Sequence, residues 1–111
     1  MPENDTTILY RAVGESELHL LERTMQFAVL EGGLQVKHFG LNYEETLDFA
    51  DNEINIDLVA IFEVAVITDT LRKVGEFINV DPSIFISGTV EVQAEHLAEF
   101  NEAIMKIEQI L

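Results

Sequence analysis

The chain has 111 residues, 48% of them apolar, with two prolines, six glycines and no cysteine, and its six Lys and Arg face 21 Asp and Glu for a formal net charge of −15. That length suits one ordinary domain with a real core, and the low Pro and Gly content excludes a linker-rich or disordered chain. The missing cysteine excludes a disulfide framework, a thiolate nucleophile and a zinc finger, while the charge argues against nucleic acid and anionic lipid, which are held by Lys and Arg contacts that release counterions.

Residues 1–6 are polar and are expected to be a flexible segment preceding one domain over 7–111. This start lacks the basic head and apolar stretch of a signal peptide. The longest apolar run, 58–67, is interrupted by Glu63 and has about half the length needed to cross a bilayer, so the expected location is the cytoplasm.

Residues 7–13 (TILYRAV) alternate and are rich in β-branched and aromatic side chains, which predicts a strand broken by Gly14. Ser16 is placed to cap a helix whose apolar stripe is Leu18, Leu21, Met25, Ala28 and Val29, ended by Gly32-Gly33. A short strand is expected over 34–39. Asn42 then caps a second helix, with Glu44 and Glu45 in the first turn, where the helix dipole favours anions. The run 58–67 (LVAIFEVAVI) is apolar on both sides, which predicts a central strand covered on both faces.

Thr68 or Asp69 should cap a short helix, and residues 79–83 (NVDPS) carry turn chemistry. A short strand over 84–86 and a firmer one over 88–93 (GTVEVQ) follow. Residues 94–111 read as a helix, because Leu97, Phe100, Ile104, Ile107 and Leu111 are spaced 3-4-3-4. That seam suits packing on the sheet, with homodimerisation through the C-terminal helix as the alternative. The alternation of elements predicts an α+β domain: a mixed sheet of about four to five strands packed with three to four helices.

Among residues that could carry chemistry, Arg11 is the only base on the first strand, and its fork suits a phosphate or carboxylate. Its plainer role is a pair with one of the many acids. Glu63 sits among apolar residues, where a carboxylate serves as a general base or ligand-binding acid, forms a buried pair with Arg11, Lys37 or His38, or lies on a strand face less covered than its neighbours suggest. Glu91 alternates between Val90 and Val92 and reads as a solvent-facing strand residue.

Glu44, Glu45, Asp48, Asp51, Glu53 and Asp57 form an acidic stretch suited to a basic protein partner, with no base between Lys37 and Arg72. Its second half imitates the opening of a calcium loop, but Ile56 replaces the glycine and Phe62 the closing glutamate, so a solvated face is the better reading and no metal site is expected. His19, His38 and His96 lack ligand spacing, and no nucleophile elbow or phosphate-binding glycine loop is present.

Three fragments together resemble small bacterial proteins related to the ADP-ribosyltransferases. Leu9-Tyr10-Arg11-Ala12-Val13 followed by Glu15-Ser16-Glu17-Leu18 resembles their opening Y-R-x-V-x-x-x-E-L. Lys37-His38-Phe39-Gly40 with Glu45, Leu47 and Phe49-Ala50 resembles their K-x-F-A…A…F-A segment, and Val90-Glu91-Val92 with Leu97, Phe100-Asn101 and Ile104 resembles their closing strand and L-x-x-F-N-x-x-I helix. The resemblance implies a compact α+β fold and a nucleotide pocket near Arg11, the arginine such enzymes use to hold NAD, with Glu63 or Glu91 as the acid. The chain departs from those enzymes in lacking an E-x-E or Q-x-E pair before a strand and a Ser-Thr-Ser segment.

Two functions are therefore expected. The first is a non-catalytic binding or regulatory, immunity-like partner of a basic protein, needing no cofactor. The alternative is a small ADP-ribosyltransferase-like transferase or NAD-binding domain, with catalytic candidates Arg11, Glu63 and Glu91 and NAD as cofactor.

Overall fold

The computed structural model describes residues 5–28, 36–52, 59–78 and 87–111. Strand β1 (Thr6–Val13) leads into helix α1 (Glu15–Thr24), strand β2 (Val36–Gly40), helix α2 (Tyr43–Asn52) and strand β3 (Ala60–Ile67). Helix α3 (Thr68–Val74), strands β4 (Gly75–Glu76) and β5 (Thr89–Gln93), a 3-10 turn (Ala94–His96), helix α4 (Leu97–Glu102) and strand β6 (Ile104–Gln109) follow. The strands form one sheet in the order β4-β5-β2-β1-β3-β6, with every neighbouring pair antiparallel. The α+β class is as expected, but the sheet is antiparallel throughout rather than mixed and, at six strands, larger than expected.

Because successive side chains of a strand point to opposite sides, the sheet has two distinct faces. Leu9 and Val13 of β1, Phe39 of β2, Phe62, Val64 and Val66 of β3, and Val90 and Val92 of β5 all enter one core, at 4% exposure or less. Leu21 of α1, Leu71 and Val74 of α3, and Leu97 and Phe100 of α4 cover this first face. On the second face, Tyr10 meets Tyr43 of α2 edge-on at 6.1 Å between ring centres. Glu63, Ala65, His38 and Glu91 are only half-buried there. The strand 60–67 is thus sealed on one side and, beyond the fully buried Ile61, half-open on the other, and β1 rather than β3 lies in the middle of the sheet.

Asn42 caps α2 as expected, its Oδ1 accepting the Glu45 N–H at 3.0 Å. Ser16 does not cap α1, which starts two residues earlier, at Glu15 with Gly14 at its N-cap, and α3 has no side-chain cap. Helix α1 also ends sooner than its apolar stripe suggested. Met25 turns left-handed, with φ 55°, and Thr24 folds its hydroxyl onto the Leu20 carbonyl. The reason lies far away in sequence. Asn101 of α4 accepts the Phe27 N–H at 2.9 Å and donates to the Phe27 carbonyl at 2.8 Å, which takes Phe27 out of the helix and into the core against Phe39 and Phe100. Gly32-Gly33 and 84–86 lie outside the described residues.

The largest correction concerns the C-terminus. The helix stops at Glu102, and 104–109 is an edge strand paired with β3. A register shift opposite Ala65 and Val66 leaves Met105 as an extra residue, so Ile104 and Ile107 both turn toward the core although three residues apart. The bulge thereby imitates helical spacing, while the β-branched Ile104, Ile107 and Ile110 favour a strand. No helical dimer seam exists in this segment. At the N-terminus, Thr6 opens β1 and the Asp5 carbonyl accepts the Thr68 N–H at 2.8 Å, so ordered structure begins within the segment expected to be flexible. Among the described residues no helix is long and apolar enough to cross a membrane.

Candidate functional site

Arg11 points to the first face, between Leu9 and Val13, and is held by Glu17 from α1. Its Nε donates to Glu17 Oε2 at 2.6 Å and its Nη2 to Glu17 Oε1 at 3.0 Å, a two-bond fork. Nη1 donates to the His38 carbonyl at 2.8 Å, and the guanidinium lies 5.8 Å from the centre of the Phe39 ring. Lys37 of β2 brings a second cation to the same carboxylate, 3.3 Å from Glu17 Oε1. The side chains of Glu17 and Lys37 are 8% and 6% exposed, and that of Arg11 18%.

Two cations therefore share one buried anion. Burial pushes the Glu17 carboxyl up, but the hydrogen bond and charge of Arg11, and then Lys37, outweigh it and hold the group below its ordinary value. For Lys37, burial and the neighbouring Arg11 together depress the ammonium's value more than Glu17 restores it. Both partners of this ion pair are shifted down. For Lys37 burial is the larger cause and the charge of Arg11 the second, and Glu17 offsets them only in part.

The second face carries a separate polar row. The His38 Nε2 lies 3.4 Å from Glu91 Oε2, and Gln93 donates to Glu91 Oε1 at 2.9 Å. The Tyr10 hydroxyl donates to Glu63 Oε2 at 3.2 Å. Burial, followed by the charge of Glu63 and the hydrogen bond to it, raises the Tyr10 hydroxyl above its ordinary value. Glu63 is thus partnered by the tyrosine directly opposite it in the ladder, not by Arg11, Lys37 or His38. Arg11 approaches Glu91 only through His38, whose backbone it binds on one side while the imidazole meets Glu91 on the other. The three candidates Arg11, Glu63 and Glu91 do not converge on one cavity.

The acidic stretch is divided. Glu44 and Asp48 are exposed on α2, whereas Glu45 accepts hydrogen bonds from Ser87, at 3.0 Å from its N–H and 2.8 Å from its hydroxyl. The side chain of Asp51, like Glu53 and Asp57, lies outside the described residues. His19 is exposed on α1 and His96 sits in the 3-10 turn, each in a different element from His38. Among the described residues no three metal-ligating side chains group around a cation position.

Sequence reasoning singled out Arg11 but missed Glu17 as its partner. A signal was present: Glu17 precedes Leu21 by one helical turn, so it shares the buried side of α1. The fragment Y-R-x-V-x-x-x-E-L contains both members of the pair, and the fragment ending in F-N contains both Phe100 and the Asn101 clamp. No family model matches the chain, and no curated protein or solved structure matches it at a significant level.

Proposed function

We propose that this chain is a non-catalytic binding protein, a regulatory or immunity-like partner of a basic protein. One observation carries the reading: the Arg11 fork is filled by Glu17, and Lys37 is sealed beside it. Setting aside these two of six cations and one of 21 acids leaves four Lys and Arg against 20 Asp and Glu in the rest of the chain. Such a body attracts a basic partner through long-range steering, and exposed Glu44 and Asp48 on α2 give it a contact surface. The test is capture on the immobilised full chain, followed by titration of the purified partner at low salt and at about 0.5 M salt. A basic partner is expected, bound more weakly at high salt and more weakly by Glu44→Lys. A neutral or acidic partner, or an affinity indifferent to salt, overturns the reading.

A second reading, an ADP-ribosyltransferase-like or NAD-binding domain, is favoured by the link from Arg11 through His38 to Glu91 across three adjacent strands. The Arg11 guanidinium uses three of its five N–H donors internally, so NAD would engage it at the rim of the Glu17 pair. A thermal upshift with millimolar NAD, absent in Arg11→Lys, supports this reading; no shift in the intact protein removes it.

A further inference from the structure

Among the described residues, strand β6 closes one end of the sheet and pairs only with β3. The other end, again among the described residues, is β4, which has two residues and is too short to template a strand. The six residues of β6 therefore present a row of backbone N–H and C=O groups that an added strand can engage. Their direction follows from the ladder. The Ile110 N–H donates to the Ile61 carbonyl at 2.9 Å, so Ile110, and by alternation Glu108 and Lys106, turn their backbone toward β3. Ile107 and Gln109 turn theirs outward.

We infer that β6 is a homodimer interface, at which a second copy adds its own β6 antiparallel across a two-fold axis through Ile107. Charge identifies the occupant. Lys106 and Glu108 flank Ile107 and have side chains 64% and 53% exposed. With Ile107 facing its counterpart, Lys106 of each copy stands opposite Glu108 of the other, which makes two favourable cross-strand pairs. Moving the axis one residue in either direction sets Glu108 against Glu108 or Lys106 against Lys106. An edge lysine alone deters pairing, but the alternation of sign here selects a register.

The segment 103–111 holds one Lys and one Glu, so the two edges meet without net charge in a chain of −15. Exposed Met105, Ile110 and Leu111 line the same edge and supply apolar surface to bury. The contact is isologous, the same strand on both copies, and continues the sheet from one copy into the next. It does not rest on the basic-partner reading, and salt separates the two. Screening relieves the repulsion between two acidic bodies and strengthens self-association, while it weakens binding to a basic protein.

The test is sedimentation velocity and amide hydrogen exchange on the full chain over a concentration series at low and physiological salt. The expected result is a monomer–dimer equilibrium that tightens with salt, with the Ile107 and Gln109 amides slowing as concentration rises. Lys106→Glu and Glu108→Lys each oppose like charges and weaken the dimer about tenfold. Combining both changes in one chain restores it, as does mixing the two single variants, because each arrangement recreates opposite-charge pairs. Circular dichroism confirms that each variant is folded. A monomer at every concentration and salt, a dimer indifferent to Lys106→Glu, or a failed rescue by the double reversal overturns the inference.

Discussion

The two faces of the sheet treat charge in opposite ways. On the first, Arg11 and Glu17 meet through two short bonds, with Lys37 beside them, all largely removed from water. On the second, His38 meets Glu91 at 3.4 Å with its side chain 37% exposed, and Tyr10 reaches Glu63 at 3.2 Å. Burial strengthens an ion pair's attraction and also makes each member costly once its partner is lost, whereas exposed pairs are screened and weak. The first cluster is therefore a fixture of the fold, whose anion cannot be removed alone. The second face can exchange its charges with a partner at little cost to stability.

The largest test of this contrast is Glu17→Ala. It strands two cations against the core and should cost about 3–5 kcal/mol in urea denaturation. The pH dependence follows from the depressed carboxyl. A carboxyl held below its ordinary value of 4.5 contributes fully above that value and loses the contribution as pH falls through the lower, folded value. Acid unfolding of the intact protein should show this loss below the ordinary glutamate range, and Glu17→Gln should remove it. A variant as stable as the parent would show that the first face is no more demanding than the second.

A second test leaves charge out. Gly75 joins α3 to β4 where a Cβ would lie 2.9 Å from both the Leu71 carbonyl oxygen and Val90 Cγ1. Gly75→Ala should therefore cost about 1–3 kcal/mol through forced displacement on the closed face. Thermal melting with no loss would mean that this face is looser than its packing indicates.

What could be read from the sequence divides along similar lines. Local chemistry was legible: the β-branched run of β1, the Asn42 cap and the dense strand 60–67 all appear where expected. Features decided by distant partners were not. Helix α1 stops where Asn101, 74 residues beyond Phe27, takes over the backbone of Phe27. The C-terminal segment forms a strand because β3 has an edge to fill, and the bulge at Met105 disguised its alternation as a heptad. Arg11 was recognisable as unusual from its apolar setting, but its partner depended on how α1 docks. The Tyr10–Glu63 pair depended on the β1–β3 register, which no local pattern specifies.

Lys37→Met sharpens the comparison from the other side. The depressed ammonium means that the unfolded chain holds this proton more tightly, so at neutral pH the lysine's charge opposes folding. Removing it leaves one cation to one carboxylate and keeps the apolar stem. The expected change is neutral or stabilising by up to about 1 kcal/mol, in contrast to Glu17→Ala. A marked loss would show that Glu17 needs both cations.

The smallest effect belongs to the second face. Glu91→Gln removes the anion beside His38 but keeps the shape and hydrogen-bonding capacity that Gln93 and His38 require, and a partly exposed pair of this kind is worth about 0.2–1 kcal/mol. Urea denaturation should therefore move little. If stability falls as far as in Glu17→Ala, the pair on the second face is as structural as the one on the first. If it stays put while affinity for a basic partner drops, the half-open face is part of the contact, and the acidity that matters extends from α2 across the sheet to β5.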